Sequence, residues 1–165
     1  EIEKLALLAG PGGSLDFETV SEALGNSATL AVTDIAMAAA DGQVAVLERS
    51  LNKAWAEQQA SVMVLRGCQG YFKQLLAAAR AVRSGTGSQQ AVKSLRPPVH
   101  FRLQDRLASQ LRHWSPDTIL EAVNRLQDAE LAVKTGAADD QAQCSQTLLG
   151  ICLRGRALNG RGARG

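Results

Sequence analysis

The chain has 165 residues, 45% hydrophobic and 4% aromatic, with 18 basic and 16 acidic side chains giving a formal net charge of +2. That length encloses a real core and excludes a wholly disordered chain, while no apolar run nears the ~20 residues of a membrane span and no signal-peptide pattern opens the sequence. Ala and Leu dominate and β-branched residues never gather into alternating runs, so helix outcompetes strand and the sequence predicts an all-α fold in a cytosolic protein.

The small net charge conceals a pattern. Residues 1–65 carry −6, residues 66–113 carry +8, residues 114–153 return to −4, and the last twelve add +4. Residue 1 is Glu and the chain opens inside an amphipathic pattern of Ile2, Leu5 and Leu8, as expected of a part of a longer protein.

In chain order, a helix over about Ile2–Leu8 is predicted to end at Gly10-Pro-Gly-Gly13, since glycine permits left-handed turns and proline cannot continue a helix. Asp16 can cap a short helix bearing Phe17, Val20 and Leu24, with Gly25-Asn26 as its stop. Two helices this small do not enclose a core, so residues 1–25 read as the remnant of a preceding domain. The main bundle, of about five to seven helices in all, then follows over 26–153.

Within it, one helix runs from about Thr29 to Ala40, closed by Asp41-Gly42, and a second from Gln43 to about Glu57 with Val44, Leu47, Leu51 and Ala54 as its stripe. The longest pattern, about Ser61 to Arg83, repeats Leu65, Cys68, Phe72, Leu75, Ala79 and Val82 at three- and four-residue steps. Gly67 and Gly70 inside it imply close approach by another helix or tolerance in a well-packed core, at about 1 kcal/mol each relative to Ala. Ser84–Ser88 reads as a flexible connection, with Ser88 capping a short helix to about Ser94.

Pro97-Pro98 blocks continuation. A helix is predicted over about Leu103–His113, with Leu103, Leu107, Leu111 and Trp114 on one face. Ser115-Pro116-Asp117 is a strong restart: a serine N-cap, proline at the first helical position, and an acid at the positive helix end. That helix should reach about Thr135, bury Ile119, Val123, Leu126 and Val133, and carry a Glu130–Lys134 ion pair before stopping at Gly136. A last helix spans about Asp140–Leu153, and the Gly/Arg-rich tail 154–165 should fray or stay disordered.

Residues that carry chemistry are sparse. Cys68, Cys144 and Cys152 lack C-x-x-C spacing and read as buried thiols. Gly160-Arg-Gly162-Ala-Arg-Gly165 matches a dinucleotide fingerprint in letters alone, because no strand precedes it. His100 and His113 stand in no zinc-ligand or triad spacing, and Asp139-Asp140 fits N-terminal capping. No catalytic residue, cofactor or metal is expected. The basic segment offers one sharper possibility: Arg66, Lys73 and Arg80, spaced by seven, share one side of the long helix, and with Arg83, Lys93, Arg96, Arg102, Arg106 and Arg112 they could face nucleic acid or an acidic partner.

The stretch Ser94–Gly136 also resembles a known family. Leu95-Arg-Pro-Pro-Val99 with Phe101, then Trp114-Ser115, then Glu130 with Lys134, is similar in order to the collar region of the bacterial DNA polymerase III delta subunit, a clamp-loader component. Val32-Thr-Asp-Ile-Ala-Met-Ala-Ala-Ala-Asp-Gly42 looks like the first collar helix, Asp16-Phe-Glu-Thr-Val20 like the helix before it, and Glu1–Leu8 like the end of the small AAA+ lid domain. The order holds over about 150 residues, departing from the family pattern at His100 and in the Gly/Arg tail.

The resemblance implies a non-catalytic subunit in the bacterial cytoplasm, assembled through its collar with the clamp-loader ATPase (gamma/tau) and delta-prime subunits. The complex as a whole loads the sliding clamp on primed DNA during replication. It further implies that the clamp itself is contacted only by an N-terminal domain not included in this sequence, and that primer-template DNA is a possible partner. Within that frame Arg96, Arg102 and Arg106, by charge, and Phe101, by its place near the proline break, are candidates for the interface, beside Arg66, Lys73 and Arg80. The alternative is an autonomous helical nucleic-acid-binding module using residues 66–113.

Overall fold

The computed structural model describes residues 17–137 and 139–162, with side chains over 28–137 and 139–160. The expected Ile2–Leu8 helix, the Gly10–Gly13 break and the Asp16 cap lie outside the described residues. Among those described, seven helices and no strand are found, an all-α bundle. They are α1 (Phe17–Asp41), α2 (Val44–Ala56), α3 (Ser61–Arg83), α4 (Ser88–Lys93), α5 (Phe101–Gln110), α6 (Pro116–Lys134) and α7 (Asp140–Gly162).

The centre of the bundle is set by the second half of α1. Ile35 to Ala40 are buried without interruption, so this helix is apolar all round and must be enclosed on every side. Its alanines project little, which lets α2, α3 and α7 approach it closely. The most extensive pairing is between α3 and α6, with α7 completing the enclosure against α1, α6 and α2. Phe72 and Trp114 lock α3 to the α5–α6 corner, their rings edge to face at 5.6 Å.

α1 ends inside the protein, where its last carbonyls must find donors. Gln43 N donates to the Ala38 carbonyl at 3.0 Å and Gly42 N to Ala39 at 3.2 Å, a reversal made possible by Gly42 at φ +71°. The remaining two carbonyls draw on side chains distant in sequence: Trp114 Nε1 donates to Ala40 at 2.8 Å and Asn159 Nδ2 to Asp41 at 2.8 Å. Glycine then allows α7 to cross this end. A Cβ on Gly155 would stand 2.7 Å from the Ala40 oxygen, and one on Gly42 would stand 2.3 Å from Arg156 N.

Several boundaries follow the sequence closely. α3 spans Ser61–Arg83 as predicted, and α6 begins at Pro116 with Ser115 Oγ accepting from Thr118 N at 3.3 Å. Asp139 caps the start of α7 by accepting from Ala142 N at 2.8 Å. All three cysteines are free and buried. Burial raises their thiol pKa values, to about 12 at Cys144 and about 11 at Cys152.

Other expectations are corrected. No stop occurs at Gly25-Asn26, since both lie within the unbroken α1, so the boundary drawn after residue 25 falls inside a helix. One interior glycine costs only about 1 kcal/mol, and helix-compatible residues continue on both sides. The tail is not disordered from Arg154: α7 continues to Gly162, tied down by Asn159 and half-buried Leu158 against the bundle. α5 begins two residues earlier than predicted, because His100 Nδ1 accepts from Arg102 N, and it ends at Gln110. Ser88 is not the N-cap of α4; Gly87 holds that position without a side-chain cap. Gly67 does mark a close approach, its would-be Cβ lying 2.2 Å from Val32 Cγ1, whereas Gly70 has nothing within 4 Å.

Three outcomes are expected in urea denaturation. Gly70→Ala should stabilise by about 0.5–1 kcal/mol through helix propensity, while Gly67→Ala and Gly155→Ala should destabilise by about 1–3 kcal/mol through overpacking. Trp114→Phe should cost about 1–3 kcal/mol by leaving the Ala40 carbonyl without its donor, more than any loss from Leu120→Ala on the exposed side of α6.

Candidate interaction surface

The structure divides the seven candidate residues by what already holds them. Arg66, on α3, bonds through Nε to Glu130 Oε1 at 2.8 Å. Glu130 also pairs with Lys134 one turn along α6 and accepts from Gln69 Nε2 at 2.7 Å. Gln69 in turn reaches the Leu126 carbonyl at 3.3 Å. The group fastens α3 to α6, so Arg66 works first as part of the bundle.

Arg106 is similarly engaged. Its Nε meets Asp41 Oδ2 at 2.5 Å, and its Nη2 approaches Gln43 Oε1 at 3.4 Å. Gln110, buried on α5, donates to Asp41 Oδ1 at 2.6 Å and accepts from Tyr71 OH at 2.7 Å. Burial pushes the Tyr71 phenol pKa upward, so it stays protonated and available as that donor. This network joins α1, α3 and α5 at the C-terminal end of α1.

Lys73, Arg96 and Arg102 behave differently. All three are exposed, and among the described residues none forms an ion pair with a carboxylate. They line one groove of about 870 Å³ between α1, α3 and the chain from Leu95 to Leu107. Arg96 precedes a cis peptide to Pro97 and donates through Nη1 to its neighbour's carbonyl, Leu95 O, at 3.1 Å. The Arg102 guanidinium lies 5.6 Å from the Phe101 ring centroid, and the His100 ring tilts onto the same ring at 4.6 Å. Phe101 is 70% exposed, and Arg80 is an exposed cation further along α3.

Sequence reasoning missed the apolar side of this groove. Leu30 stands 64% exposed at one wall, while Pro97 and Pro98 stand at another. The one available signal was the Pro-Pro break itself, which interrupts the helical pattern where Pro97 and Pro98 line the groove. The polar networks at Asp41 and Glu130 were missed as well; Gln110 in the first and Gln69 in the second, buried polar residues on otherwise apolar helices, were their only trace.

Among the described residues no three of His, Cys, Asp and Glu gather as a metal site, and no helix is long and apolar enough to cross a membrane. Compared with protein families, curated proteins and solved structures, the chain has no match.

The Glu130 group gives a pH signature. Lys134, Arg66 and Gln69 hold the Glu130 carboxyl down to about 2 from 4.5. A lowered folded-state pKa contributes stability that is present above the unfolded value and lost as pH falls through the folded one. Between pH 4.5 and about 2, the wild-type Tm should therefore fall more steeply than that of Glu130→Gln. Parallel Tm profiles for the two proteins across that window would contradict the role given to this carboxylate.

Proposed function

We propose that this chain is a non-catalytic assembly module, the collar-like C-terminal part of a bacterial clamp-loader delta subunit, acting in the cytoplasm during DNA replication. The observation that carries the reading is the serial order of Leu95-Arg-Pro-Pro-Val99, Phe101, Trp114-Ser115 and Glu130 with Lys134, which is similar to that family's collar. An all-helical bundle is compatible with it. So is an exposed surface that combines apolar side chains with cations that form no ion pair among the described residues, which suits association better than chemistry.

On this reading the partners are the clamp-loader ATPase (gamma/tau) and delta-prime subunits, and the fragment carries no catalysis of its own. A second reading, a nucleic-acid-binding module, is favoured by one observation: Phe101 offers an exposed ring beside the Arg102 guanidinium.

Size-exclusion chromatography with light scattering separates the two. The first reading expects co-elution with the ATPase or delta-prime subunit, and co-elution with neither removes it. The second expects primer-template binding whose log affinity falls linearly with log salt, and which survives deletion of residues 154–165.

A further inference from the structure

The groove that gathers Lys73, Arg96 and Arg102 has the form of a helix seat. Its floor is α3, and that floor is low: Gly70 has open space above it, and Ala77, seven residues on, lies along the same line. Its walls are aliphatic and proline-rich, with Leu30 and half-buried Leu103 facing across from α1 and α5. Its rim carries the three cations against one carboxylate, Asp34. Charge of this sign at the edge of an apolar trough is left unanswered by any ion pair among the described residues.

We infer that this groove receives an amphipathic helix of a protein partner, seated through aliphatic side chains on the Gly70–Ala77 floor and flanked by carboxylates that meet Lys73, Arg96 and Arg102. A helix presents such anchors at spacings of three, four and seven residues. Two features favour a helix over a single-stranded nucleic acid, which would need stacking platforms. Tyr71 is buried with its hydroxyl bonded to Gln110, and the His100 ring is already stacked on Phe101, which stands outside the groove lining. A second copy of this chain placed groove to groove would set cation against cation. The inference gives the assembly reading its surface and rests on that reading for the class of partner.

The test titrates the full ¹⁵N-labelled chain with a synthetic peptide of about five helical turns, with leucines at the anchor spacings and glutamates on the flanks. Saturable shifts centred on Gly70, Ala77 and Leu103 are expected. Affinity should drop about tenfold or more in Gly70→Trp, which fills the trough from its open floor, and in the combined Lys73→Glu, Arg96→Glu, Arg102→Glu variant. Arg80→Glu should bind as wild type, and a lysine-flanked peptide should bind about tenfold more weakly. Far-UV circular dichroism checks the tryptophan variant, and the charge variant stands alone if that protein does not fold. No saturable shift, indifference to both variants, or an oligothymidylate occupying the same residues overturns the inference. Co-elution with clamp-loader subunits that survives both variants overturns the groove and leaves the assembly reading; peptide binding without any such co-elution keeps the groove and removes that reading.

Discussion

The constraint on which the bundle depends is the buried C-terminus of α1. A helix end withdrawn from water leaves strong acceptors that cost free energy unless donors reach them. Here the donors come from the turn itself and from two distant side chains, Trp114 and Asn159. Those two belong to the α5–α6 corner and to α7, so satisfying four carbonyls fixes where half of the molecule sits. The Asp41 carboxylate extends the same point outward to Arg106 and Gln110. Hydrogen bonds made there are directional, which gives the otherwise nondirectional apolar core a single register.

That constraint also explains the distribution of free charge. Cations near the bundle's polar joints are engaged, Arg106 at Asp41 and Arg66 at Glu130, and each links helices far apart in sequence. Lys73, Arg96 and Arg102, at the groove, form no ion pair among the described residues. The +8 of residues 66–113 therefore includes cations paired to carboxylates across the bundle and cations that form no ion pair among the described residues, a difference that no count of charge reveals.

Glycine plays three different parts along the same chain. Gly67 and Gly155 allow helices to touch, as contact distances at their absent Cβ positions show, while Gly42 turns the chain at positive φ. Gly70 does neither, and instead leaves the floor of the groove open. The residue type is one; the neighbour decides what it does.

The sequence by itself determined the helical class, the three- and four-residue seam of α3, the serine-capped start of α6, the Glu130–Lys134 pair and the burial of the three thiols. These are local matters of periodicity, capping and i, i+4 spacing, which reach only one turn along the chain. Only the tertiary structure decided that α1 passes through Gly25-Asn26 and that α7 holds its helix past Arg154 to Gly162. It also decided which arginines are paired, Arg66 with Glu130 and Arg106 with Asp41, and that Lys73, Arg96 and Arg102 share a groove with Leu30. The arginine pairings and the Asn159 tie that holds α7 rest on partners 64 to 118 positions apart, whose attraction or exclusion depends on packing in space and leaves no period in the sequence to read.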